Sequence, residues 1–130
     1  MDTPEDNFFQ VSVKGMHFNS NGELMMIKEG DMWELPGGRI QKGEQFIDCL
    51  KREVFEETGI TCDVLDSQPA IVYPTIDLEG RPRVMVFFKI KMHSFDITPS
   101  SEAEEIKFYN KEQMKELDVF PQLLRLPDFL

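Results

Sequence analysis

"GRIQKGEQFIDCLKREVFEETGI", Gly38 to Ile60, is the stretch on which the reading of the fold turns. Its first part, with "GGRIQKGE" from Gly37 to Glu44, is a glycine-punctuated loop that cannot be regular structure throughout. From about Glu44 to Thr58 the pattern becomes helical: Ile47, Leu50 and Val54 fall at i, i+3 and i+7, and Gly59 stands where a C′ glycine ends a helix. On a wheel of about 100° per residue, Val54 and Leu50 lie within roughly 60° of Ile47, an apolar stripe that would face a sheet. Glu57, Glu53 and Glu56 follow beside it as one acidic band, with Arg52 on its far side. Glu53 and Glu57 are an i,i+4 pair of like charge, which costs a few tenths of a kcal/mol, and Arg52 offsets only part of this through Glu56. A band of carboxylates at the margin of a core suits a hard divalent cation, which takes about six oxygens at about 2.1 Å. Gly37 and Gly38 bring bare backbone to the same place, where a carbonyl could add a ligand.

Working outward, "FFQVSVKGMHF" and "NSNGELMMI" read as strands over about 9–18 and 23–28, with Asn21-Gly22 as a hairpin turn signal. "WELP" is a short strand end. After the helix, "ITCDVLDSQPAIVYPTI" is strand-like, with Pro69 and Pro74 limiting its ends, and "DLEGRP" is a turn. "RVMVFFKIKM" is the strongest strand, with Arg83, Lys89 and Lys91 suggesting one partly polar face. A polar loop, "SFDITPSSEAEE", precedes a short strand "IKFY". Asn110 with Gln113 opens a capping box for a helix through about Leu117, and the tail adds one more helical turn. Strands, helix, strands, helix imply a mixed sheet covered by helices.

Composition narrows the partners. At 130 residues, with 41% hydrophobic and 29% charged residues, the chain reads as one globular domain over 1–130. A net charge of -10 argues against duplex nucleic acid, whose phosphates are bound largely by Lys and Arg. An anionic substrate would need a local basic patch or a bound cation. Cys49 and Cys62 lack metal-site spacing and read as buried free thiols. No signal-peptide layout and no run of 18 apolar residues is present, so the expected setting is the cytoplasm, with no membrane partner.

The spacing Gly38-x5-Glu44-x7-Arg52-Glu53-Val54-x-Glu56-Glu57-x-Gly59-Ile60 resembles the Nudix box of the Nudix hydrolases at every defining position. A chance match to its seven fixed residues, each at about 6% background, has odds of about 10⁻⁹–10⁻⁸ per window. The resemblance implies an α/β fold, the Nudix-type α/β/α sandwich with a mixed β-sheet between helices. It also implies metal-assisted hydrolysis of a diphosphate linked to another moiety, usually in a nucleoside diphosphate derivative. Mg²⁺, or alternatively Mn²⁺, would be the cofactor. Glu56 and Glu57 would be metal ligands, Glu53 a ligand or the base, and the Gly37 carbonyl a further ligand. Arg52 would orient the carboxylates. Glu44 would serve the helix start or reach the metal shell. Family members often carry a further catalytic glutamate before the last strand; Glu102 matches best, with Glu104 and Glu105 as alternatives. The general base can come from the box or from that loop, and the resemblance does not choose.

Selectivity lies outside the box. Arg39, Arg81 and Arg83 are candidates to meet a phosphate or ribose, and Phe8, Trp33, Tyr73 and Phe88 to stack on a base. ADP-ribose-type members tend to carry a proline roughly fifteen residues past the box; Pro74, 14 residues beyond Ile60, is close. Dinucleoside-polyphosphate members tend to show a tyrosine slightly further on, which Tyr73 does not reach. The substrate expected is a small nucleoside di- or triphosphate derivative. Two other readings stay open: a non-catalytic nucleotide-sensing module on the same fold, and a cation-binding protein without hydrolysis. A homodimer would fit the family.

Overall fold

The computed structural model describes residues 7–98 and 102–130. In chain order these form β1 (Gln10–Met16), β2 (Leu24–Glu29), β3 (Met32–Glu34), β4 (Gly37–Arg39), α1 (Phe46–Thr58), β5 (Cys62–Val64), β6 (Ile71–Ile76), β7 (Pro82–Met92), β8 (Glu105–Tyr109) and α2 (Lys111–Met114). Two 3-10 turns, Pro121–Leu123 and Leu126–Phe129, close the chain. The main sheet runs β4-β1-β7-β5, with β6 also on β7, and it is mixed because β1 and β7 are parallel while the other pairs are antiparallel. A second, antiparallel sheet runs β3-β2-β8.

The alternation within the strands sorts the core into two layers. From β7, Val86, Phe88, Ile90 and Met92 pack with Val13 of β1, Met25 and Ile27 of β2, and Cys49, Leu50 and Val54 of α1. The intervening Met85 and Phe87 pack on the other face with Met16, Leu24, Met26 and Leu35, under Met114, Leu123 and Leu126 of the C-terminal turns. Side chains of period two thus give each face its own cover: α1 on one, the C-terminal segment on the other. Burying a side chain such as Phe87 or Phe88 contributes about 1.5–3 kcal/mol, and both are essentially fully buried. Lys89 and Lys91 continue the Met85–Phe87 face beyond this cover and are exposed, the partly polar face expected of this strand.

Several expectations need correction. The Asn21-Gly22 turn forms, with Asn19 Oδ1 accepting from the backbone of Asn21 and Glu23, but β1 and β2 do not pair along their length. They part into different sheets and keep only a bridge between Phe18 and Leu24. The glycine loop contains a strand, since Gly37–Arg39 pairs with Ser12–Lys14. The strand-like run after α1 is two strands, and Pro74 lies inside β6 rather than at an end. An edge strand tolerates this, because β6 bonds only to β7. Helix α1 starts at Phe46, and α2 spans only Lys111–Met114, although its capping box forms as expected.

Candidate active site

The site is assembled where β4 crosses α1. Gly37 has φ 135°, and a Cβ there would run into the carbonyl oxygen of Val13 and the Cα of Lys14. Only glycine fits this position. At Gly38 a Cβ would collide with the carboxylate of Glu53, so the side chain of the helix lies directly over the strand backbone. The Gly37 N–H donates to Glu57 Oε1 at 2.7 Å. Residues 53 and 57 of one helix therefore meet residues 38 and 37 of one strand.

The expected acidic band divides into two groups. Glu53 and Glu56 belong to Arg52: Nη1 lies 2.8 Å from Glu53 Oε1 and 3.2 Å from Glu56 Oε2. The rest of the fork grips Glu44, with Nε to Oε2 at 2.7 Å and Nη2 to Oε1 at 2.9 Å, a bidentate pair. Nη2 also donates to the carbonyl of Arg39. Arg52 thus orients three carboxylates and ties α1 to the end of β4. Its hydrogen bonds hold the Glu44 carboxyl well below the usual range, at about 2. Glu44 also accepts from the Gln41 N–H, which fixes the turn leading into the helix.

Glu57 turns the other way. It is 5% exposed, and an oxygen from each of Glu57, Glu29 and Glu102 lies within 4.8 Å of the other two. Burial raises the Glu57 carboxyl to about 9, reinforced by the neighbouring Glu29 carboxyl and opposed by the Lys14 charge and the Gly37 N–H. Three carboxylates gathered beside a backbone that admits no Cβ form an all-oxygen donor set, the chemistry of a hard divalent cation. Glu102, expected from the sequence, is in this group; Glu53 and Glu56 are not. Glu104 and Glu105, the alternatives to Glu102, lie elsewhere: Glu104 Oε1 accepts from the Gly30 N–H, and Glu105 pairs with Lys107. The Gly37 carbonyl, expected as a ligand, accepts from Lys14 Nζ at 3.2 Å.

Beside these groups opens a cleft of about 660 Å³, lined by Arg39, Arg83, Lys14, Ser12, Phe9 and Glu53 among others. Of the three candidate arginines, Arg39 and Arg83 line this cleft. Arg83 is held rigidly, with Nε 2.8 Å from Asp77 Oδ2 and Nη1 donating to Ser12 Oγ at 2.8 Å. Lys14 is 6% exposed and lies 3.6 Å from Glu34. Burial works against its charge, but the Glu34, Glu57 and Glu29 carboxylates outweigh that and raise its pKa. Tyr73 does not line the cleft. It is buried in the second core layer, its hydroxyl donating to the Gln122 carbonyl at 2.6 Å. Trp33 and Phe88 are core residues as well, whereas Phe8 is 73% exposed and outside the cleft lining. Arg81 pairs with Glu79 on the surface. Phe9, which the sequence reading passed over, is the aromatic at the cleft.

Sequence reasoning also missed Lys14 and Glu29. Lys14 had a signal: with Ser12 and Met16 it sits on one face of β1, a charge in the middle of a central strand. Glu29 had none, since only the folding of β2 against the loop before β8 brings it to Glu57.

Comparison with known proteins covers the stretch of chain that carries this site. The family model described as NUDIX domain matches residues 8–126. A MutT-like protein of Streptomyces ambofaciens is 31% identical over 122 residues, 92% of this chain and 76% of that protein. An 8-oxo-dGDP phosphatase, NUDT18 of Danio rerio, is 42% identical over 55 residues, 38% of this chain and 17% of its own length. The chain likewise spans only 33% of a Caenorhabditis elegans relative. The crystal structure of the MutT protein from Methanosarcina mazei Go1 superposes with a TM-score of 0.72 at 24% identity, covering 93% of this chain and 89% of that one.

Proposed function

This chain belongs to the NUDIX domain family, and on that premise we propose that it is a divalent-cation-dependent hydrolase of a diphosphate linkage in a nucleoside di- or triphosphate derivative. The observation that carries the reading is the intact box, folded so that Glu57 is bonded to Gly37 at the edge of a cleft lined by Arg39, Arg83 and Lys14. Anionic substrate and cation would then meet at one place, and a chain of net charge -10 could receive a polyphosphate.

When bound, Mg²⁺ or Mn²⁺ would neutralise the diphosphate and supply a water of lowered pKa. Glu57 and Glu102 would hold it. Arg39 and the anchored Arg83 would receive the phosphates, with Lys14 adding positive potential from below. Arg52 would keep Glu53 and Glu56 in one orientation through its fork. Water adds to one phosphorus, the bridging P–O bond breaks, and two phosphate-bearing products leave. Glu53, whose carboxylate lies over Gly38, is the one carboxylate lining the cleft among the described residues, and on this reading it would accept the water's proton. The name of one relative, an 8-oxo-dGDP phosphatase, supports a nucleotide rather than an unrelated anhydride. Among the described residues no helix is long and apolar enough to cross a membrane, and a cytoplasmic setting is part of the proposal.

The test is product analysis over a panel of nucleoside triphosphates, their oxidised-base forms, nucleoside diphosphates and ADP-ribose, with Mg²⁺. Metal-dependent release of a nucleoside monophosphate is the expected outcome. Tight nucleotide binding without turnover of any member would replace the hydrolase by the sensing module.

A further inference from the structure

We propose that Glu29, at the end of β2, is a direct oxygen ligand of the divalent cation, shared with Glu57 and Glu102; this rests on the cation-dependent reading above. Glu29 belongs neither to the box on α1 nor to the loop before β8, and the resemblance assigns it nothing. Its place comes from the fold. The loop carrying Glu102 is pinned on its far side by two backbone bonds: the Ala103 N–H donates to the Glu57 carbonyl at 3.1 Å, and the Glu104 N–H to the Lys28 carbonyl at 2.9 Å. These bonds hold the loop against the last turn of α1 and against the residue just before Glu29. The β2–β8 ladder continues from there, with Lys28 opposite Glu105. Three element ends are thus locked together with a carboxylate on each.

The spacing and charge agree with this role. Oxygens around one small divalent ion at about 2.1 Å lie roughly 3–4 Å apart, and the three carboxylates offer oxygens within 4.8 Å of one another. A slight closure of side-chain torsions completes the set. The nearby ammonium, Lys14, is shared with Glu34 and with the Leu35 and Gly37 carbonyls, so it cannot balance three carboxylates. A divalent ion bound among them would supply the opposite charge that favours the ionised form of all three.

The test is direct Mn²⁺ binding to the full chain, counting free ion by electron paramagnetic resonance, for wild type, Glu29→Gln, Glu57→Gln and Glu104→Gln. Loss of a residue that merely supports a ligand typically weakens metal binding by about 10–100-fold, so Glu29→Gln is expected to lose at least about tenfold. Glu104→Gln, which removes the same charge from the neighbouring loop, is expected to stay within about twofold of wild type on that scale. Melting without metal checks that each variant is folded, and Glu29→Ala decides the matter should Glu29→Gln melt below the assay temperature. Wild-type affinity in Glu29→Gln, with binding lost in Glu57→Gln, would overturn the role of Glu29 and leave the hydrolase reading standing. Equal weakening in Glu29→Gln and Glu104→Gln would reduce the effect to charge and overturn it as well. A wild type that binds no Mn²⁺ would sink the cation-dependent reading, and this inference with it.

Discussion

At the residue scale, Arg52 does more than its place on a helical wheel suggests. A charge at that position offsets the Glu53–Glu57 repulsion, but the guanidinium is planar and grips Glu44 with two nitrogens while a third reaches Glu53 and Glu56. Lysine offers the charge without the fork. Arg52→Lys is therefore expected to keep the far-ultraviolet circular dichroism spectrum of wild type and to lose about 10–100-fold in kcat/KM, as loss of an orienting group does; unchanged turnover would contradict this. Glu44 gives a pH signature. Its carboxyl sits near 2 in the fold against an ordinary 4.5, so it binds its proton less readily folded than unfolded. The stability it contributes is present above pH 4.5 and is lost as pH falls from 4.5 toward 2. Glu44→Gln lacks this contribution, and urea midpoints measured at pH 7, 4, 3 and 2 are expected to fall less steeply for the variant than for wild type. Arg52 and the three Glu were legible in the sequence because their spacing is local to one helix. Which carboxylate goes with which partner was not, because a wheel gives direction around the axis and says nothing of what β4 brings over it.

At the element scale, the same contrast holds between α1 and the strands. The apolar period of α1 located its buried stripe, and Leu50 and Val54 are indeed fully buried against the sheet. Leu50→Ala removes three side-chain carbons from that stripe and is expected to lower stability by about 2–5 kcal/mol, read from urea denaturation. A loss below about 1 kcal/mol would mean that α1 is not held by this contact. The short C-terminal helix buries Met114 and carries a reciprocal cap: Asn110 Oδ1 accepts from the Gln113 N–H, and Gln113 Oε1 from the Asn110 N–H. Asn110→Ala is expected to cost about 1 kcal/mol in the same experiment. The β1–β2 turn was legible from Asn21-Gly22, while the divergence of the two strands into separate sheets was not. Turn residues fix a reversal of the chain, whereas pairing depends on what competes for each edge. Here β7 and β4 take both edges of β1, and β3 and β8 take both edges of β2. Tyr73 follows the same logic: an aromatic on β6 looked available to a base, but its side of the strand faces the C-terminal turns.

At the scale of the whole molecule, the proposed function requires a net charge of -10 to be reconciled with an anionic substrate. On the proposed reading the fold does this by segregation: Lys14, Arg39 and Arg83 line the cleft, the carboxylates of Glu29, Glu57 and Glu102 gather together, and a bound cation would join the two. Segregation of this kind cannot be seen from composition, which gives only the sum. The measurement that tests the central claim most directly is turnover of a responsive nucleotide by wild type and Glu57→Gln, each with Mg²⁺ and with EDTA. The expected result is turnover by wild type with Mg²⁺ alone, abolished by EDTA, and lost by at least about a hundredfold in a folded Glu57→Gln. Turnover that survives EDTA, or a Glu57→Gln protein as active as wild type, would contradict the claim that this cluster is the catalytic centre.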